Sequence, residues 1–196
     1  AAAQSLALAA GRRLDLVAVS ARSASNDRGF PMDHIEWQEN PMDLAARNDV
    51  DVVIEMIGGS KGVAVDLTRA ALKNGKHVIT ANKAMIAHHG ADLASLAENH
   101  ECFLLFEAAV AGGIPAVKTL REGLAGNEMK RLAGILNGTC NYILTTMEQT
   151  GQDFADVLAE AQHLGYAEAE PSFDVDGIDA AHKLTILAAI AFGQKP

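Results

Sequence analysis

A chain of 196 residues, 49% apolar and 21% charged, has the balance of a globular protein of roughly one to two domains with a sizeable core. Its 25 acidic against 16 basic residues give a net charge of −9, which excludes the basic stripe of a nucleic-acid binder and attraction to an anionic membrane. Every long apolar stretch is broken by a charge or a glycine, and Cys102 and Cys140 are too few for a disulfide framework, so a reduced, cytoplasmic protein is expected.

Residues 1–10 (AAAQSLALAA) are helix formers closed by Gly11, with no basic leader before them. The chain starts without methionine and ends just past an apolar helix, so a segment of something longer is expected. Residues 14–21 (LDLVAVSA) and 51–57 (DVVIEMI) are near-continuous apolar runs, the pattern of strands covered on both faces. Residues 23–41 are polar and read as loop. A helix over 63–74 stopped by Gly75, a strand over 76–80, a helix over 85–99 and a strand over 102–110 follow. Strand and helix alternating at this spacing predict βαβ units on a parallel sheet.

The pattern changes near Gly112–Gly113. Pro115 suits the start of a helix over 116–124, and residues 129–136 read as a strand of a second sheet. Helices are predicted over 137–150, 153–164 and 177–192. The division is therefore residues 1–110, an incomplete Rossmann-like parallel sheet, and 111–196, part of an α+β substrate and dimerisation domain.

Four motifs carry chemistry. Asp179 and Lys183 are one turn apart on the last helix. An exposed pair of this spacing is worth little. Ile186, Leu187 and Ile190, however, fall within about 60° of Lys183 on a helical wheel, so the pair points inward. A lysine so placed is either a structural ion pair or a catalytic acid. The loop before it, YAEAEPSFDVD, holds four carboxylates: Glu168, Glu170, Asp174 and Asp176. Asp176 suits a helix N-cap, and Glu168 suits an ammonium ligand. Thr80-Ala81-Asn82-Lys83 ends a predicted parallel strand, where open α/β sheets bind ligands, and also reads as an Asn-capped helix start. The segment from Glu107 to Ile114 contains Gly112–Gly113 and reads as an interdomain turn or as a set of carbonyls around a hard cation. Cys102 reads as core, Cys140 lacks an evident histidine partner, and the adjacent His88 and His89 face apart.

The segments DVVIEMIGG (51–59), GKHVITANKA (75–84), FEAAVAGGIP (106–115), GILNGTCNYIL (134–144) and LGYAEAEPSFDVDGIDAAHKLTILA (164–188) resemble those of bacterial homoserine dehydrogenase. The resemblance covers nearly all of residues 14–193. It implies an oxidoreductase interconverting L-homoserine and L-aspartate 4-semialdehyde with NADP or NAD, on the route to threonine and methionine. By the same resemblance Lys183 is the proton donor, Asp179 orients substrate, Glu168 holds the substrate amino group with Asp174 in the same pocket, and Lys83 lies between cofactor and substrate. Thr80 and Gly58 belong to the cofactor side. Glu107, with the carbonyls of Val110, Gly112 and Ile114, matches a monovalent cation site, usually sodium. A homodimer through the substrate domain is also implied.

By the resemblance the family pattern is expected to continue past residue 196, with further strands of the substrate domain and a terminal helix, and two more features depart from it. The glycine-rich turn that seats a pyrophosphate does not precede the first helix, so the segment alone is expected to be inactive. At the end of the first strand stands Ser20-Ala21-Arg22-Ser23 in place of an acidic residue, and Arg22 suits a 2′-phosphate, favouring NADP. Two other readings remain at this level: a dehydrogenase of the same plan with another substrate, and a non-catalytic binding or oligomerisation piece.

Overall fold

The computed structural model describes residues 2–193. The chain forms α1 (Ala2–Ala10), β1 (Ala18–Val19), β2 (Glu36–Trp37), α2 (Met42–Ala46), β3 (Val52–Glu55), α3 (Val63–Lys73), β4 (His77–Thr80), α4 (Lys83–Asn99) and β5 (Leu104–Leu105). Every strand pairing among the described residues is parallel: β1 with β2, and β3–β4–β5 in that order. Parallel neighbours need a crossover, and α3 and α4 supply it.

Sequence explains the packing. In α3, Ala64, Val65, Leu67, Thr68, Ala71 and Leu72 recur at helical spacing and form one buried face. Met85, Ile86 and Leu93 do the same in α4. Together they enclose Val53 of β3, Val78 of β4 and Leu104 of β5 in one core. Each wholly buried Leu or Met there contributes about 1.5–3 kcal/mol.

The second part opens with a 3-10 turn (Glu107–Ala109) and a single turn α5 (Ala116–Lys118) that continues as a π turn (Thr119–Gly123). Then come α6 (Gly138–Thr150), α7 (Phe154–His163), α8 (Ser172–Val175) and α9 (Ile178–Phe192). Ile143 of α6 packs with Val157 and Ala161 of α7 and with Ala167 in a small separate core. Ile186 and Leu187 of α9 instead enter the first core, where α9 lies against α4. That docking places the start of α9 over the carboxyl-end region of the parallel strands.

Several sequence expectations are corrected. The strand over 102–110 shrinks to Leu104–Leu105, because both carboxylate oxygens of Glu107 accept backbone N–H groups from Val117 and Lys118 and draw the chain into a turn. Residues 129–136 form no strand, since no neighbouring strand offers them a ladder among the described residues. The run 14–21 gives a two-residue strand with Leu14 and Leu16 half exposed, and in 51–57 burial alternates, with Ile54 63% exposed. Helices α3 and α4 cover one face of the sheet, and the described residues leave the other open. The polar stretch 23–41 contains β2, whose Trp37 stacks under the Arg28 guanidinium at 4.9 Å. Residues 166–176 contain α8, and Asp176 closes α8 rather than capping α9, whose N-cap is Gly177 at φ 77°.

Candidate active site

The site begins at the carboxyl ends of β3 and β4. Glu55 is 1% exposed, and its Oε1 accepts the N–H groups of Ile57 (2.7 Å) and Gly58 (3.0 Å). Its Oε2 accepts the Thr80 hydroxyl, which in turn accepts the Asn82 N–H at 2.9 Å. Asn82 caps α4 by accepting the Met85 N–H (3.0 Å) and donates its amide to the Gly59 carbonyl (2.8 Å). Gly58 and Gly59 stand at φ 85° and 86°, a conformation that side chains disfavour. One hydrogen-bonded unit therefore shapes both strand ends. Glu55→Ala strands two backbone donors and a buried hydroxyl; it is expected to lower stability by about 2–4 kcal/mol, read as a shift in the urea midpoint.

Above this unit lies a cluster of two lysines and two aspartates. Asp179, in the first turn of α9, is 2% exposed. Its Oδ2 accepts Lys183 Nζ at 2.6 Å and Asn137 Nδ2 at 2.9 Å, while Lys83 Nζ pairs with Oδ1. Lys183 Nζ also donates to the Leu136 carbonyl at 2.8 Å. Asn137 donates to Asp174 Oδ1 at 2.8 Å, and the Thr139 hydroxyl donates to Asp174 Oδ2 at 3.2 Å. Burial pushes the Asp179 carboxyl up, but Lys183, Lys83 and Asn137 outweigh it and hold the pKa down at about 2. Asp179 is thus a fixed anion between two ammonium groups. Lys83 opens α4, where the helix dipole opposes a cation, so its tie to Asp179 is needed to keep it there.

Two clefts meet at Lys183. The larger, about 440 Å³, is lined by Gly58, Gly59, Asn82, Lys83, Phe173 and Lys183. The smaller, about 200 Å³, is lined by Val110, Leu136, Asn137, Gly138, Asn141 and Lys183. Of three ammonium donors, Lys183 commits two to Asp179 and Leu136, which leaves one for a group in a cleft. A cation so oriented can stabilise negative charge developing on a ligand oxygen.

The structure brings Lys83, Asp174, Asp179 and Lys183 together and sets Gly58 on the cleft wall. Thr80 is buried and serves the hydrogen-bonded unit instead of facing the cleft. Glu168 is exposed on the turn after α7 and lines neither cleft; its backbone carbonyl accepts the Gln162 amide. Arg22 is exposed, three residues past β1. The Glu107 carboxylate is engaged by the Val117 and Lys118 N–H groups, at 3.0 and 2.9 Å. Val110 and Gly112 lie beside it in a turn where Ala111 and Gly113 have positive φ, and the Ile114 carbonyl accepts the Ala116 N–H. Both Glu107 oxygens and the Ile114 carbonyl are thus engaged by backbone N–H groups of this chain. Among the described residues no group of three or more His, Cys, Asp or Glu side chains could hold a metal.

Sequence reasoning missed Glu55, Asn137 and Phe173. Glu55 had a signal, a carboxylate inside an otherwise apolar strand. Lys83 Nζ lies 5.4 Å from the Phe173 ring centre, a contact no spacing rule predicts. Cys140 donates its thiol to the Asp174 carbonyl, and burial with Asp174 and Asp179 nearby pushes its pKa up, which argues against a nucleophile. His88 and His89 turn to different partners, the His182 ring and the Ser60 carbonyl.

Parallel strands with crossover helices, glycines at their carboxyl ends and a lysine–carboxylate cluster over that edge define a nucleotide-binding α/β unit joined to a site-bearing helical part. The family model described as "Homoserine dehydrogenase, NAD binding domain" matches residues 2–107, and the one described as "Homoserine dehydrogenase" matches residues 115–196. The chain belongs to the homoserine dehydrogenase family. It is 56% identical over 155 residues to the homoserine dehydrogenase of Neisseria gonorrhoeae, covering 79% of this chain and 35% of that protein. It also resembles the crystal structure of a homoserine dehydrogenase from Thiobacillus denitrificans, with TM-score 0.89, 48% identity, and coverage of 97% of this chain and 44% of that one. A hyperthermophilic archaeal homoserine dehydrogenase in complex with NADPH matches with TM-score 0.78 and 29% identity, covering 99% of this chain and 55% of that one. The chain thus spans about a third to a half of the relatives it matches. No described helix is long and apolar enough to cross a membrane.

Proposed function

We propose that the enzyme carrying this segment interconverts L-homoserine and L-aspartate 4-semialdehyde by hydride transfer, using NADP or NAD, in threonine and methionine biosynthesis in the cytoplasm. The observation that carries the reading is Lys183, held by Asp179 and the Leu136 carbonyl at the wall common to two clefts. The dinucleotide, when bound, supplies or accepts the hydride. Gly58, Gly59, Ala81 and Ala84 put no bulky side chain of their own into the larger cleft near Lys83, so these residues would hold its nicotinamide end. Lys183 gives a proton to the oxygen that gains charge as the aldehyde is reduced, and takes it back in the reverse direction. Asp179 holds Lys183 in place and Lys83 adds a second positive charge near the reacting group. The family resemblance, not the cleft lining, assigns the substrate ammonium to Glu168 and a further polar contact to Asp174.

Arg22 is assigned the 2′-phosphate of NADP, in keeping with its exposed place past β1 and with the NADPH complex of the archaeal relative. A monovalent cation, sodium, is assigned to the turn of Glu107, Val110, Gly112 and Ile114, with Glu107 fixing the turn by its two N–H bonds. The net charge of −9 suits a small-molecule enzyme with no nucleic-acid partner, and the family resemblance favours a homodimer. The test is reduced-nicotinamide absorbance with L-homoserine, measured in an enzyme of full family length that carries these residues. Turnover with NADP is expected, and Arg22→Glu should raise the KM for NADP about tenfold while leaving that for NAD near its starting value. Turnover of other hydroxy compounds with none of homoserine overturns the reading.

A further inference from the structure

We propose that Asn137 is a positioning residue for the Asp179–Lys183 pair: by capping α6 it fixes its own amide so that both amide hydrogens bridge Asp174 and Asp179. This deepens the proposed function and rests on Lys183 being the proton carrier. The geometry decides which way the amide faces. Asn137 is the extended residue before α6, at φ −134° and ψ 124°, and its Oδ1 accepts the Cys140 N–H at 2.8 Å. A helix N-cap must present an acceptor there, so Nδ2 is turned away from the helix and toward the carboxylates. Its two hydrogens reach Asp174 Oδ1 at 2.8 Å and Asp179 Oδ2 at 2.9 Å, and the residue is 9% exposed, so water does not compete freely.

The bridge acts on the proton carrier in two ways. A shared donor fixes the separation of the Asp174 and Asp179 carboxyl groups, and at Asp179 it joins the two lysines in favouring the carboxylate. The residue before it, Leu136, accepts Lys183 Nζ through its carbonyl, so one dipeptide orients the lysine and its counter-ion together. Asn137 is 42 residues from Asp179 in sequence, and the bridge therefore ties the start of α6, on the wall of the smaller cleft, to the start of α9. No other amide serves both carboxylates among the described residues.

Two variants separate this role from plain helix capping. Asn137→Ser and Asn137→Asp both keep an N-cap acceptor, so α6 is retained, and circular dichroism verifies it. Serine lacks the reach of the bridge; aspartate replaces its donors with a third carboxylate. Carbon-13 carboxyl NMR of the chain follows Asp179 directly. Its titration midpoint is expected to rise by roughly one pH unit in Asn137→Ser and further in Asn137→Asp. In the same variants of the family-length enzyme, kcat for L-homoserine is expected to fall about tenfold or more, with the KM for the dinucleotide unchanged. An unmoved Asp179 midpoint, or a moved midpoint with parental kcat, overturns the proposal. If the parent enzyme does not turn over homoserine at all, the functional reading fails, while the NMR titration still decides the bridge.

Discussion

Lys183→Ala is expected to lower turnover of L-homoserine by about 10²- to 10⁴-fold, the range that a positioned general acid supplies. In the proposed role the ammonium acts where charge develops on the substrate oxygen, not where the dinucleotide is gripped, so the loss is expected in kcat. Dinucleotide binding should stay within about twofold, as fluorescence titration would read, since Lys183 is one residue among many on the larger cleft. Turnover within about tenfold of the parent would remove Lys183 from the role of proton carrier.

Asp179→Ala is expected to damage both stability and catalysis. It leaves Lys83 and Lys183 facing each other with no counter-charge, and it frees an Asn137 donor. Breaking a wholly buried pair costs about 3–5 kcal/mol. The two lysine side chains here are 34% and 21% exposed, so water recovers part of that and a loss of about 2 kcal/mol is expected. The acid response gives the sign. Asp179 titrates at about 2 in the fold and near the ordinary aspartate value when unfolded. Its ionised form therefore adds stability in full above pH of about 4, and that contribution disappears as pH falls through about 2. Urea unfolding from neutral to acidic pH should show the parent losing about 2 kcal/mol more than Asp179→Asn over that window. Parallel curves for the two proteins would show that Asp179 is not held ionised by its lysines.

Much of the site could be read from the chain because its parts obey local rules. Asp179 and Lys183 share the apolar arc of one helix, and burial of Asp179 follows from that periodicity. Asn82 is a helix cap three residues before Met85, and the glycine pair after an apolar strand marks a strand end. What escaped was non-local. Asn137 meets Asp174 and Asp179 from 37 and 42 residues away, and Thr80 meets Glu55 across two strands. Glu107 shortened the last strand by binding N–H groups ten and eleven residues onward. The runs 14–21 and 51–57 read as covered on both faces because apolar periodicity reports what a residue prefers, not which helices lie over it. Residues 129–136 carry apolar side chains at Met129, Leu132, Ile135 and Leu136, yet only Ile135 is β-branched, and a strand exists only where a neighbour completes its ladder.

The most direct test of the account is a crystal structure of the family-length enzyme with a dinucleotide and L-homoserine bound. Lys183 Nζ should lie within hydrogen-bond reach, about 2.6–3.2 Å, of the substrate hydroxyl while keeping its bond to Asp179. A substrate hydroxyl bound to some other group, with Lys183 turned away from it, would contradict the assignment.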